Sequence, residues 1–324
     1  MTSSADPTAL VLGLDAGGTS TRCLVVDAGG RVHGRARAGG GNPISRPVAE
    51  ATEQVALAVG GALAQVDAGL VRTAVLGVAG YGNHPETIGT LSAALDRAGL
   101  RCPVRVCGDA EIAFAAGTPA REGTVLIAGT GATACRVVDG GEGPTHDGWG
   151  WLLGDEGSGF WIGREAVRVM LHDAERGLAG PLATAVSQAV AGGWVSGPDL
   201  ILRVHARPPV ALAELAPLVL DAAAAGDVQA GEIVRRAVEL LVASVSEIRA
   251  PGEQTPVVLA GGIASSAGVG GPLAAALHER WPTASLRTVT SSEAGAVWLA
   301  ARQQWPGLPE TVHERLCRPR LLAG

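Results

Sequence analysis

Two glycine-rich segments in this chain carry residue types that suit anion binding. The first follows an apolar run and reads DAGGTST. Gly17 and Gly18 let backbone N–H groups point inward without a Cβ in the way, and Thr19 and Ser20 add hydroxyl donors for phosphate oxygens. Asp15, at the end of the apolar run, is suited to hold Mg²⁺ through water. The alternative is an ordinary hairpin turn.

The second segment, Gly129-Thr130-Gly131, is a weaker signal of the same kind, since short glycine turns are common. Two such turns, on opposite sides of a cleft, would clamp a pair of phosphates. Gly261 and Gly262 follow a third apolar run, where backbone could approach a bulky ring such as adenine. A tight strand-to-helix turn is the alternative for this pair.

Acidic residues next to glycines supply candidates for proton transfer and sugar binding. Asp109 lies between a predicted strand and a predicted helix, where α/β folds place functional side chains, although an Asp there can also be a helix N-cap. Residues 148–159 read GWGWLLGDEGSG, in which glycines allow backbone contact with a sugar and carboxylates accept hydroxyl pairs. Either Asp155 or Glu156 could instead cap the following helix; for Asp155 we expect both capping and binding. Trp149, Trp151 and Trp161 are candidates for stacking on a sugar face or for the core.

The elements that must position these residues alternate between strands and helices. Strand, Gly/Thr turn and strand occur in this order twice, about one domain apart, which indicates an internal duplication. His146 and Asp147 are expected in a loop. Period-2 and period-3.6 patterns predict strands at 9–14, 21–26, 32–38, 73–78, 104–107, 123–128, 134–138 and 257–259, and helices at 47–65, 86–98, 158–171, 182–191, 211–225, 231–249 and 271–281.

Composition narrows the class of protein. The 324 residues are 47% hydrophobic and 17% charged, with a net charge of −6, which argues against nucleic-acid and membrane partners. The chain contains no lysine, so a P-loop lysine is not available for phosphate. Its five cysteines include no C-x-x-C pair, which disfavours a zinc or iron–sulfur site and suits a cytoplasmic protein.

Six segments resemble successive motifs of the BadF/BadG-type ATPases of the actin, hexokinase and sugar-kinase superfamily. They read DAGGTST, CGDAEIAF, AGTGATA, GWGWLLGDEGSGFWIG, LAGGIA and SEAGA, and the similarity is strongest for the N-acetylglucosamine kinase branch. The resemblance implies an α/β fold of two RNase H-like, actin-like ATPase domains flanking a cleft. We place them at 1–116 and 117–324, with the last helix packing back on the N-terminal domain.

The resemblance also implies an activity: ATP- and Mg²⁺-dependent phosphorylation of the 6-hydroxyl of N-acetylglucosamine. A homodimer is expected only because homodimers are the commonest oligomers. Asp109 would be the general base and would contact the sugar, and Asp15 would hold the metal. The other expected sugar contacts are Asn42, Thr133, Gly148, Trp149, Gly150 and Asp155. The expected nucleotide contacts are Gly17, Gly18, Thr19, Ser20, Thr130, Gly131, Ala213, Gly262 and Ser266, and residues 292–296 resemble a hinge element.

One departure from the family pattern leaves the substrate open. The N-acetylglucosamine kinases commonly carry Ser-Asn after the second phosphate turn, whereas this chain has Ala132 and Thr133. Glucosamine and N-acetylmuramic acid are therefore alternative substrates. Two other classes in the superfamily are an ATPase activator of a radical dehydratase, which needs a cysteine-ligated cluster, and a sugar-sensing regulator, which normally carries an N-terminal helix-turn-helix.

Overall fold

The computed structural model describes residues 6, 8–44, 46–78 and 85–317. The chain divides into two compact units. Unit 1 comprises Met1–Gly123, Val137–Glu142 and Ser291–Gly324; unit 2 comprises Thr124–Arg136 and Gly143–Thr290. The domain boundaries expected from the sequence, 1–116 and 117–324, remain a prediction.

The first sheet lies in unit 1 and has the order β3-β2-β1-β4-β5. Its central strand β1 is almost wholly buried because it pairs with β2 on one side and with β4 on the other. β1, β2 and β3 pair antiparallel, whereas β1, β4 and β5 run parallel. The strands are β1 Leu10–Ala16, β2 Thr21–Asp27, β3 Val32–Ala38, β4 Val71–Val78 and β5 Val104–Cys107.

The second sheet has the order β10-β9-β6-β7-β8, the same order as the first when read from the opposite end of the list. This match supports the predicted internal duplication. β9 is buried along its whole length between β6 and β10, and it runs parallel to both. The strands are β6 Gly123–Ala128, β7 Ala132–Val138, β8 Gly141–Asp147, β9 Val257–Ala260 and β10 Leu286–Val289.

Helices cover both sheets and follow the apolar periodicity of the sequence. Those of unit 1 are α1 Val48–Leu63, α2 Pro85–Arg97, α3 Asp109–Gly117, α10 Ser292–Gln304 and α11 His313–Cys317. Those of unit 2 are α4 Gly159–Glu175, α5 Pro181–Ala191, α6 Gly197–His205, α7 Ala216–Ala224, α8 Val228–Ile248 and α9 Ala267–Arg280. Short 3₁₀ helices span Ala68–Leu70, Pro209–Leu215 and Glu310–Val312.

Glycines set the close packing of α3 and α10 in unit 1. A Cβ on Gly77 of β4 would overlap the Ile112 side chain of α3, and one on Gly13 of β1 would lie 2.6 Å from the Glu293 carbonyl oxygen of α10. A Cβ on Gly295 would lie 2.5 Å from the Ala116 nitrogen of α3. The backbones of β1, α10 and α3 are therefore in direct contact, which fixes the helix that begins at Asp109.

The sequence patterns missed several elements, among them β8, α6 and β10, and misjudged the helix expected at 211–225. β8 reads GEGPTHD, and its glycines and proline disguise an edge strand, so His146 and Asp147 lie in a strand and not in a loop. α6 and β10 were also not predicted. The helix expected at 211–225 is a 3₁₀ helix followed by α7, because Pro217 lacks the N–H that would continue one helix.

No single helix in the described ranges is long and apolar enough to cross a membrane. One pair, Pro209–Ala224 with Val228–Ile248, reaches that length and composition only when both are counted together, with a bend of 116° between them.

Candidate active site

The first glycine turn joins β1 to β2, and the 39–42 loop packs against it. The Gly17 N–H donates to the Ser20 carbonyl (3.0 Å), and the Gly41 N–H donates to the Gly17 carbonyl (3.0 Å). A Cβ on Gly40 would lie 2.7 Å from the Gly18 carbonyl carbon, so only glycine fits there. The loop therefore brings Asn42 beside the turn that contains Gly18, Thr19 and Ser20. The Asn42 side-chain oxygen accepts the Ile44 N–H (2.8 Å).

Three carboxylates of unit 1 influence one another near the end of β1. Asp15 pairs with Gly77 across β1 and β4, and Gly77 pairs with Cys107 of β5, so the parallel strands bring Asp15 and Asp109 to one edge. Burial, together with the charges of Glu293 and Asp109, raises the pKa of Asp15 to about 7. Glu293 Oε2 is buried and has no hydrogen-bond partner among the described residues.

These carboxylates fit a cation, which would relieve their repulsion. No group of three or more His, Cys, Asp or Glu side chains in the described part of the chain is arranged as a metal cage. Mg²⁺ usually keeps several waters and takes only one or two carboxylates in nucleotide sites. Asp15 therefore remains the predicted magnesium residue.

Asp109 is the first residue of α3 and not its cap; the N-cap position is Gly108, which has no side chain to offer. Burial raises the pKa of Asp109, and the N–H groups of Ala110 and Asp109 itself oppose the shift. A buried carboxyl with a raised pKa is a stronger base than an exposed aspartate, which suits proton abstraction. Because Gly108 occupies the N-cap position, the alternative in which Asp109 caps the helix is wrong.

Glu142 of β8 takes the place of the missing cap. Its carboxylate accepts the N–H groups of Ala110 and Glu111 in the first turn of α3. A Cβ on Gly108 would lie 2.5 Å from Glu142 Oε2, so the glycine makes room for this contact. Burial raises the pKa of Glu142, and the charges of Asp109 and Glu111 add to the shift.

The second glycine turn joins β6 to β7 and is held by the start of α4. The N–H groups of Gly159 and Phe160 donate to the carbonyls of Gly129 (2.8 Å) and Thr130 (3.0 Å). Asp155 Oδ1 accepts the Ala132 N–H (3.1 Å), and a Cβ on Gly131 would lie 2.8 Å from the same oxygen.

Asp155 does not cap α4, and that part of the prediction is wrong. Ser158 is the N-cap, and its hydroxyl accepts the Trp161 N–H (3.2 Å). Burial raises the pKa of Asp155, the Ala132 N–H lowers it, and the Asp147 charge raises it. Its carboxylate therefore serves the second turn and not the helix.

The expected sugar contacts of unit 2 lie together at the ends of β7 and β8. Thr133 donates weakly to the His146 carbonyl (3.5 Å), and a Cβ on Gly148 would lie 2.8 Å from the Thr133 hydroxyl oxygen. Trp149 is 61% exposed, with its ring 5.6 Å from that of His146, so it is available to a ligand. Gly150 lies in the same loop, with φ of 82°.

Trp161 is only 6% exposed and belongs to the core of unit 2, which excludes it from stacking on a sugar. Trp151 packs its ring against Phe160 at 5.8 Å.

The expected purine contacts lie next to the second turn. Gly261 has a φ of 95°, and a Cβ there would lie 3.0 Å from the Gly129 nitrogen. A Cβ on Gly129 would lie 3.9 Å from the Gly262 nitrogen. Ser266 is the N-cap of α9, and its hydroxyl donates to the Ile263 carbonyl (2.7 Å). A Cβ on Gly159 would lie 3.6 Å from the Ala213 Cβ.

The sequence pattern of the BadF/BadG/BcrA/BcrD ATPase family matches residues 12–297. This chain belongs to that family. The match spans both glycine turns, Asp109 and the 148–159 loop.

Three proteins show the range of similarity. An N-acetyl-D-glucosamine kinase of Dictyostelium discoideum is 27% identical over 313 residues, which cover 90% of this chain and 97% of that protein. An N-acetylmuramic acid/N-acetylglucosamine kinase of Clostridium acetobutylicum is 41% identical over 71 residues, only 22% of this chain and 23% of that protein. A structure from Chromobacterium violaceum, provisionally named an N-acetylglucosamine kinase, superposes with a TM-score of 0.73 at 25% identity, covering 91% of this chain and 100% of that one.

The predicted fold class is confirmed: an α/β chain with two five-stranded sheets of RNase H-like order, of the actin-like ATPase type. The roles given to individual site residues remain predictions. Sequence reasoning missed Glu142 and Asp147, both of which bind backbone N–H groups beside predicted site residues. No local motif marks either one.

Proposed function

We propose that this chain is an ATP-dependent kinase that phosphorylates the 6-hydroxyl of N-acetylglucosamine. The observation that carries the proposal is the similarity to an N-acetyl-D-glucosamine kinase over 90% of the chain and 97% of that relative. The site geometry agrees with it, because a partly buried carboxyl with a raised pKa follows β5 and glycine turns follow β1 and β6.

In this proposal Asp109 accepts the proton of the sugar hydroxyl. Its raised pKa makes it a better base, and the contacts of Glu142 with the first turn of α3 keep it in place. Asn42 and Asp155 hold sugar hydroxyls, and the backbone of both glycine turns binds phosphate oxygens. ATP supplies the phosphoryl group, and Mg²⁺ at Asp15 would neutralise charge on it.

The test is the initial rate of ADP release with Mg-ATP and a panel of sugars: N-acetylglucosamine, glucosamine, N-acetylmannosamine, N-acetylmuramic acid and glucose. We expect strong stimulation by N-acetylglucosamine and slow hydrolysis without sugar. The 6-deoxy analogue should bind but give no phosphorylated product, and ³¹P NMR of the product should show a 6-phosphate. A panel in which no sugar accelerates ADP release contradicts the proposal.

A second candidate is a kinase for another amino sugar, N-acetylmuramic acid above all. Two observations favour it: Ala132 presents no polar side chain beside Thr133, and the 71-residue match is to a kinase named for both sugars. Greater kcat/KM for N-acetylmuramic acid than for N-acetylglucosamine would select this candidate.

The magnesium requirement, the homodimer and the cytoplasmic location belong to the same proposal. Loss of activity with EDTA, restored by Mg²⁺, tests the first. Sedimentation of the full chain tests the second.

A further inference from the structure

The Asp147 carboxylate holds the backbone of residues 148–156, the segment that follows it. It is 6% exposed and accepts three backbone N–H groups. Oδ1 accepts those of Gly148 (2.8 Å) and Asp155 (2.7 Å), and Oδ2 accepts that of Glu156 (2.8 Å). Hydrogen bonds to an ionised acceptor are about twice as strong as neutral ones. One side chain therefore ties Gly148 to Asp155 and Glu156, which lie eight and nine positions after Asp147.

The backbone of this segment needs such a support. Asp147 and Asp155 both have positive φ, 62° and 57°, a conformation that non-glycine residues adopt only at a cost. A Cβ on Gly154 would overlap Asp147 Oδ1, so the glycine lets the chain pass close over the carboxylate. The bond from the Asp155 N–H to Asp147 holds Asp155 in its unusual conformation.

The position of Asp155 matters because its carboxylate reaches the second glycine turn. Asp155 Oδ1 accepts the Ala132 N–H at 3.1 Å. We propose that Asp147 is a positioning residue that fixes the backbone of residues 148–156, so that Asp155 and the Gly148 backbone are presented to the sugar acceptor. This inference rests on the proposed kinase function, but it concerns a residue to which that proposal gives no contact with the substrate.

The variant Asp147→Asn tests the inference with little change of shape, since Asn also tolerates positive φ. Its amide nitrogen replaces one acceptor oxygen, so a donor then faces a backbone N–H. We expect the sugar KM to rise about 10- to 100-fold, the factor for losing a bond to a charged group, with the ATP KM changed by less than about twofold.

Asp139→Asn is the matched control. Asp139 is also an aspartate with positive φ (52°), but its carboxylate is exposed and pairs with Arg121 (3.0 Å), outside the 148–156 segment. The control should keep both KM values. An unchanged sugar KM in folded Asp147→Asn, or an equal rise in both KM values, would overturn the positioning role.

Amide hydrogen exchange gives a readout that needs no turnover. In the full chain, the peptide covering residues 148–157 should exchange faster in Asp147→Asn than in the wild type or in Asp139→Asn, because three protecting bonds are weakened. Wild-type exchange in Asp147→Asn would refute the inference. If the wild type phosphorylates no sugar, the proposed function fails, and the exchange result still decides whether Asp147 fixes this segment.

Discussion

Gly295 is the tightest contact between α10 and α3, and its replacement by alanine tests the packing that positions Asp109. A Cβ at this site would lie 2.5 Å from the Ala116 nitrogen and closer still to the Ile112 carbonyl oxygen. Both are backbone atoms, so no side chain can rotate away. On its other side α10 meets β1, where a Cβ on Gly13 would already be 2.6 Å from the Glu293 carbonyl oxygen. The helix therefore has no free space in either direction.

The size of the effect follows from two opposing contributions. Alanine in a helix is favoured over glycine by about 1 kcal/mol. Overpacking costs about 1–3 kcal/mol, and rigid backbone on both sides of α10 places Gly295→Ala at the upper end. The net loss is then about 2 kcal/mol, or a fall in Tm of about 4–8 °C for a unit of this size. The kcat should fall as well, because α3 carries Asp109 at its first turn.

Gly231→Ala in α8 provides the control, since a Cβ there meets nothing within 4 Å. Both glycines are the fourth residue of their helices, Ser292–Gln304 and Val228–Ile248, so the helix propensity gained is the same. Thermal unfolding followed by circular dichroism should show a Tm rise of about 2–4 °C for Gly231→Ala. If Gly295→Ala is as stable as the wild type or more stable, the close packing of α10 against α3 is refuted.

Three further predictions concern unit 1. Asp109→Asn should keep sugar binding, measured by calorimetry, and lose about 10²–10⁴-fold in kcat. Because burial raises the pKa of Asp109, the kcat/KM of the wild type should fall with decreasing pH, with a midpoint above the pKa of an ordinary aspartate. A midpoint at the ordinary value would contradict this. Burial lowers the pKa of His313, whose neutral ring donates to the Ala115 carbonyl (2.7 Å) and packs edge-on against Trp298. As the pH falls, His313 is protonated in the unfolded chain before it is protonated in the folded chain, which favours unfolding. The difference in Tm between the wild type and His313→Gln should therefore be complete above pH ~6.5 and shrink below it. A Tm difference that does not change with pH would argue against a neutral buried ring. Glu142→Gln should not lower the free energy of unfolding at pH 7, because burial and the charges of Asp109 and Glu111 disfavour the ionised carboxylate in the fold. It should reduce kcat more than the sugar KM, as measured by denaturant unfolding and steady-state rates; an unchanged kcat would remove Glu142 from the support of Asp109.

The strands and turns that carry the predicted site residues could be predicted from the sequence because their residue patterns are local. The strands at 32–38, 104–107 and 123–128 have the bounds expected from the sequence. A buried strand that ends in glycine and threonine marks a hairpin turn, and Asp109 after β5 marks a helix start. These features depend on neighbours within a few residues, which is the range over which residue patterns carry information.

The errors have a different origin. Asp155, Glu156 and Ser158 all precede α4, and each residue type can cap a helix. The choice among them depends on backbone conformation: Asp155 has positive φ, and its carboxylate turns towards Ala132, which leaves the cap to Ser158. No pattern of residue types decides between these arrangements.

β8 shows why a segment that looks like a loop can matter most for the site. Its glycines and proline hid a strand whose second residue, Glu142, binds the first turn of the Asp109 helix, and whose last residue, Asp147, binds the loop of Asp155. Neither carboxylate is part of a recognisable sequence motif. Their partners are backbone N–H groups, which nearly all residue types have, so the contacts leave no pattern of residue types in the sequence. A comparison of residue types finds side chains that touch a substrate. The side chains that hold such residues in place are found only from the hydrogen bonds of the folded chain, and in this protein β8 supplies two of them.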